Sequence, residues 1–234
     1  MHSFTSADAV FFDLDDTLYD QLLPFEKALI NQQIELENSQ IVPFYKQVRH
    51  YSDVLWKLHV KGSLNLEELR IERLTSACKD FGILLSKEKA IAIQERYEYE
   101  QKIITPFTEI PSLLKSLQDK GKVVGVITNG PVAHQMKKLI ALGIDRIIPE
   151  ERIFISDGIG IAKPDKRVFE YVQTKLNLTP SKCLYIGDTW ENDIVPPIEA
   201  GWKCIWFNHR KRKPQTHHHP NETVTEIDEL LQLK

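Results

Sequence analysis

Four short stretches of the chain carry carboxylates, a hydroxyl and a lysine where they could act together. Asp13-Leu14-Asp15-Asp16-Thr17 ends a continuously apolar run. Asp13 and Asp15 are two residues apart, so in an extended chain they project to the same side. Two carboxylates held that close repel, and they take a cation or share a proton. A hard cation such as Mg²⁺, which prefers oxygen ligands in an octahedron, is the natural partner. Thr128-Asn129-Gly130 ends a second apolar run and offers a hydroxyl and backbone amides at the start of a helix, a place that favours anions. Lys163-Pro164 puts a lone ammonium ahead of another helix, where it can neutralise a phosphate as a point charge. Gly187-Asp188-Thr189-Trp190-Glu191-Asn192-Asp193 adds the carboxylates of Asp188 and Asp193, with Glu191 between them. Each stretch also has a plainer reading, as a turn, a helix start or an N-cap. Their common place after predicted strands sets them apart, because ligands of open α/β sheets bind beyond the carboxyl ends of the strands.

The elements that must position these residues alternate in two textures. Ala9–Leu14, Val123–Thr128, Arg152–Ser156, Cys183–Ile186 and Lys203–Phe207 are short, almost wholly apolar runs, as expected of strands covered on both faces. Helical patterns separate most of them. Pro111–Lys120 carries Leu113, Leu114 and Leu117; Pro131 opens a helix with Val132, Met136, Leu139 and Ile140 on one face; Pro164 opens another with Val168, Phe169, Val172 and Leu176. Such alternation predicts an α/β fold with a parallel sheet and helices on both sides. Between the first two strands, residues 19–105 hold no convincing strand. Pro24–Glu37, Pro43–Val60, Ser86–Lys102 and a helix after the capping-box pair Asn65/Glu68 predict an all-helical insert. The segment His209–Pro220 is basic and His-rich, but without interleaved aromatics it reads as a solvated loop.

Composition narrows the function classes. The chain has 234 residues, 42% hydrophobic and 27% charged, which suits one or two globular domains. Thirty basic against 33 acidic side chains leave a net charge of −3, unlike a general nucleic-acid binder. No uncharged apolar stretch is long enough to span a membrane, and no export signal is visible at the N-terminus, so a cytoplasmic location is expected. Cys78, Cys183 and Cys204 fit neither a zinc spacing nor a disulfide framework and read as free thiols.

The four stretches, in this order, resemble the signature of the haloacid dehalogenase-like hydrolase superfamily, whose members are mostly phosphatases. The resemblance implies a Rossmann-like, doubly wound parallel sheet core of residues 1–18 and 106–234, with an inserted all-helical cap of residues 19–105. It also implies roles. Asp13 would be the nucleophile that forms an aspartyl-phosphate, and Asp15 the general acid and then base. Thr128, the Asn129 amide and Lys163 would grip the phosphoryl oxygens. Mg²⁺ would be held by the Asp13 carboxylate, the Asp15 backbone carbonyl and Asp188, with Asp193 in the outer metal shell. The expected activity is Mg²⁺-dependent hydrolysis of a small-molecule phosphomonoester by a monomer with no nucleic-acid or membrane partner. A phosphomutase of the same superfamily is the alternative. A 2-haloacid dehalogenase fits less well, because a halide leaving group needs neither a general acid nor a metal. Pro196-Pro197 departs from the family's more usual Gly-Ala at that place. In the cap, Trp56, His59, Arg70 and Arg73, and beside the first motif Tyr19 and Asp20, are candidates to meet the substrate.

Overall fold

A computed structural model describes residues 4–233. Along the chain come β1 (Ala9–Phe12), α1 (Leu22–Asn31), α2 (Asn38–Val60), α3 (Leu66–Asp80), α4 (Lys87–Glu100), α5 (Ile110–Asp119), β2 (Val123–Thr128) and α6 (Val132–Ala141). They are followed by β3 (Ile153–Ile155), α7 (Ser156–Ile159), α8 (Arg167–Lys175), β4 (Cys183–Gly187), α9 (Val195–Glu199), β5 (Lys203–Phe207), β6 (Glu222–Val224) and α10 (Glu229–Gln232). Two compact units result, one of residues 1–20 with 104–234 and the other of residues 21–103.

The first unit is built on a six-stranded parallel sheet of order β3-β2-β1-β4-β5-β6. The chain winds outward from β1 to one edge, then crosses back to build the other half, so β1 and β4 flank the switch point. Side-chain alternation divides β1 between two cores. Val10 and Phe12 pack with Ile110, Leu113, Leu114 and Leu117 of α5. Ala9 and Phe11 face the other way, against Val168, Phe169 and Val172 of α8 and against Trp202. The apolar runs are thus buried on both faces, which makes the sheet Rossmann-like and doubly wound. The sixth strand, β6, has no apolar run to announce it. It is three residues long and pairs only at the sheet edge. At the opposite end of the insertion, the Phe107 amide donates to the Leu18 carbonyl at 3.0 Å, joining the segments by which the chain leaves and re-enters this unit.

The second unit is all-helical. Leu22, Phe25, Ala28 and Leu29 of α1 pack with Phe44, Tyr45 and Val48 of α2, Leu74, Ala77 and Cys78 of α3, and Ala90, Ile93 and Tyr97 of α4. The capping box forms as its sequence predicts. The Asn65 side chain accepts from the Glu68 amide at 2.9 Å and the Glu68 carboxylate accepts from the Asn65 amide at 3.0 Å. α2 starts at Asn38, five residues ahead of the expected Pro43, because Glu37 and Gln40 form a second such box. No helix among the described residues is long and apolar enough to cross a membrane. All three cysteines are buried and free.

Candidate active site

Strand register brings the motif residues together. Phe12 of β1 lies opposite Val126 of β2 and Ile186 of β4, so Asp13, Thr128 and Asp188 emerge at one edge of the sheet. The Asp13 amide donates to the Ile186 carbonyl at 2.9 Å and extends the pairing to the site itself. Oxygens of Asp13, Asp188 and Asp193, all buried, lie within 4.8 Å of one another.

Lys163 is the buried cation of this cluster. Its Nζ donates to Asp13 Oδ1 at 2.8 Å, to Asp193 Oδ1 at 2.6 Å and to the Tyr185 hydroxyl at 2.8 Å. Tyr185 in turn donates to the Ile127 carbonyl at 2.8 Å. The Asn129 side chain fixes the approach of this lysine. Its Nδ2 donates to the Lys163 carbonyl at 2.7 Å and its Oδ1 accepts from the Lys163 amide at 2.9 Å. The peptide bond from Lys163 to Pro164 is cis.

One ammonium does not balance three carboxylates. Burial pushes the Asp13 carboxyl up to about 7 against the pull of Lys163. Burial also holds Asp188 well above the usual carboxylate range, although Arg212 draws it down. For Lys163 burial works against the charge, yet Asp13 and Asp193 outweigh it and raise its pKa above that of an ordinary lysine. Asp193 has both oxygens engaged, Oδ1 by Lys163 and Oδ2 by the Thr189 amide at 2.9 Å. Asp188 Oδ2 is buried and accepts no hydrogen bond, with Arg212 at 3.1 Å as an ion-pair partner. A buried, under-neutralised carboxylate cluster with such an oxygen has the donor chemistry of a hard divalent cation site.

These residues suit the family model of haloacid dehalogenase-like hydrolases, which matches residues 7–201. The chain belongs to this family. A pyrimidine 5'-nucleotidase of Escherichia coli, YjjG, is 28% identical over 97% of both chains. A glyceraldehyde 3-phosphate phosphatase of Methanothermobacter thermautotrophicus is 30% identical over 97% of both. Among solved structures, YfnB from Bacillus subtilis bound to magnesium superposes with a TM-score of 0.72 at 23% identity, covering 97% of this chain and 98% of that one. The likeness to that structure is one of fold. This member of the family is therefore a hydrolase with the doubly wound sheet of its relatives and a helical insertion after the first strand.

Within that family setting, Asp15 stands apart from the other carboxylates. Its carboxylate lies outside the Asp13–Asp188–Asp193 group. Lys138 Nζ donates to both its oxygens at 2.8 Å, Gln135 Nε2 to Oδ2 at 3.3 Å, and the Tyr19 hydroxyl to Oδ1. Gln135 Nε2 also donates to Thr128 Oγ1 at 2.7 Å. The sequence placed Val132 and Ile140 on the inner face of α6. The structure buries Leu139 and packs Met136 on the core as expected, but it buries Gln135 and Lys138 beside them and leaves Val132 39% and Ile140 54% exposed. The face is rotated because α6 turns its polar residues to the strand-end carboxylate.

The basic loop is solvated over residues 213–217, as expected, but Arg210 and Arg212 near its start turn inward to paired sites. Arg210 pairs with Asp16 at 2.9 Å and with Asp20. Arg212 reaches Asp188 and donates to Thr189 Oγ1 at 2.8 Å. Asn208 clamps the loop, accepting from the Arg212 amide at 2.7 Å and donating to its carbonyl at 2.9 Å. The insert candidates have local partners: Trp56 packs on His59 at 5.0 Å, Arg70 pairs with Glu98 at 2.9 Å, and Arg73 donates to Ser52 Oγ and Gln94 Oε1. Arg70 and Arg73 therefore bond across to α2 and α4. Tyr185, Gln135 and Lys138 were not singled out from sequence. The available signal was polar groups at positions whose neighbours are core.

Proposed function

We propose that this hydrolase is a divalent-metal-dependent phosphatase acting on a small phosphomonoester through an aspartyl-phosphate on Asp13. The observation that carries the reading is the buried trio Asp13, Asp188 and Asp193 around the single ammonium of Lys163. The phosphatase and nucleotidase names of its relatives lend it support.

The Asp13 carboxylate attacks phosphorus as the bond to the leaving oxygen breaks, and Asp15 gives that oxygen its proton. Water then attacks phosphorus and yields a proton to Asp15. The bond to Asp13 breaks and inorganic phosphate leaves. Lys163, Thr128 and the Asn129 amide stabilise charge on the non-bridging oxygens. Mg²⁺ would be held by the Asp13 carboxylate, the Asp15 backbone carbonyl and Asp188, where it would offset the charge of nucleophile and phosphate. Asp193, already taken by Lys163 and the Thr189 amide, belongs to its outer shell.

The helical unit, which we assign as residues 19–105, serves as the cap that selects substrate, with residues 1–18 and 106–234 as the catalytic core. The protein acts as a cytoplasmic monomer on small molecules, with no nucleic-acid partner. The test is phosphate release from a panel of nucleotides, sugar phosphates and phosphoserine, with and without chelator. Asp13→Asn should fold normally and lose roughly three orders of magnitude or more of turnover. Activity that survives excess chelator, or normal turnover in Asp13→Asn, would overturn the reading. Isomerised sugar phosphate without phosphate release would make the protein a mutase.

A further inference from the structure

Two polar residues on the buried face of α6 have no role in the chemistry above. Gln135 and Lys138 are three residues apart, so they share one side of the helix. Lys138 has only 4% of its side chain exposed, against 17% for its partner Asp15. Burying an ammonium and a carboxamide is costly unless both are bonded, and an apolar residue would pack α6 at less cost. Here the two end on the same carboxylate. Asp15 Oδ1 accepts from Tyr19 and Lys138, and Oδ2 from Lys138 and Gln135. A second observation supports a built arrangement. Gly130 has φ 135°, and a Cβ there would lie 3.3 Å from Gln135 Cγ and Cδ, so the glycine keeps room for the glutamine.

We infer that Lys138 and Gln135 are positioning residues that aim the Asp15 carboxyl at the leaving-group oxygen, an inference that rests on the phosphatase reading. Contacts on both oxygens fix the carboxyl plane; a proton on Oδ2 takes the place of the longest of them, from Gln135 at 3.3 Å, and the Lys138 and Tyr19 contacts keep the aim. Gln135 also joins Asp15 to Thr128, which ties the acid to the hydroxyl expected to hold the phosphoryl group.

Leaving-group dependence tests this. A p-nitrophenolate leaves without help, whereas an alkoxide needs its proton. kcat/KM covers steps only through departure of the leaving group. For Lys138→Met in the full chain with Mg²⁺, the ratio of kcat/KM for p-nitrophenyl phosphate to that for glycerol 2-phosphate should rise roughly ten-fold or more over wild type. Lys138→Arg should restore part of it. If Lys138→Met does not fold, Gln135→Met reports the same ratio with a smaller rise. Loss of both substrates in equal proportion, or an unchanged ratio, would overturn the inference. Wild-type protein that releases phosphate neither from these two esters nor from the nucleotides, sugar phosphates and phosphoserine of the panel would instead overturn the phosphatase reading beneath it.

Discussion

Gly187 lies directly against Asp193: a Cβ at position 187 would come within 2.5 Å of both Asp193 Cβ and Cγ. The last residue of β4 must therefore be glycine for Asp193 to reach Lys163. Gly187→Ala should cost about 1–3 kcal/mol by overpacking. It should also depress turnover strongly, because Asp193 can relieve the clash only by leaving its ammonium partner. Thermal melting and steady-state turnover check both parts.

The raised carboxylates predict how the metal-free protein responds to pH. Asp13 rises from its ordinary value of 3.8 to about 7 on folding, and Asp188 shifts the same way. The folded state thus holds a proton that the unfolded chain releases, so stability from these groups is full below about pH 4 and is lost as pH rises through about 7. Lys163 stays charged throughout this window. Melting with chelator should show this contribution falling between about pH 4 and about pH 7, and Mg²⁺ should restore stability at the upper end. In Asp13→Asn the fall should be smaller.

Asn129→Ala removes both bonds that hold the Lys163 backbone, each worth about 1 kcal/mol net. Lys163 would then be less well placed between Asp13 and Asp193. Turnover should fall roughly ten- to a hundred-fold, since sub-ångström placement carries that much rate. The fold should persist, as circular dichroism and melting would show.

Arg212 stands 3.1 Å from Asp188 Oδ2, an oxygen that a divalent ion would need. Arg212→Met removes a competing cation. The half-saturating Mg²⁺ concentration, read from melting temperature against added metal, should drop severalfold. The difference from wild type should narrow as monovalent salt screens the arginine.

The clustered carboxylates of Asp13, Asp188 and Asp193 and the ammonium of Lys163 were legible in the sequence because each sits just beyond an apolar run or before a helix. A parallel sheet makes such places converge whatever the intervening chain does. Gln135 and Lys138 were not, because helical periodicity assigns the inner face to apolar residues. Here that rule loses to a bonded carboxylate. Arg210 and Arg212 look like any solvated charge run until Asn208 folds the loop back on itself. Tyr185 was hidden within an apolar strand, where its ring packs in the core yet also lies 5.3 Å from Lys163 Nζ and its hydroxyl bonds that ammonium. The insert's helices were readable from caps and spacing, but the partners of Arg70 and Arg73 lie on helices distant in sequence.

The hydrogen bond from Phe107 to Leu18 turns the insertion point into a fixed pair of posts. The entropy of closing a loop between posts grows only with the logarithm of its length. Splicing a different helical segment between them should leave the sheet and its carboxylates in place. The helical insert that we propose to choose the molecule is thus exchangeable in principle without disturbing the sheet that we propose to act on it.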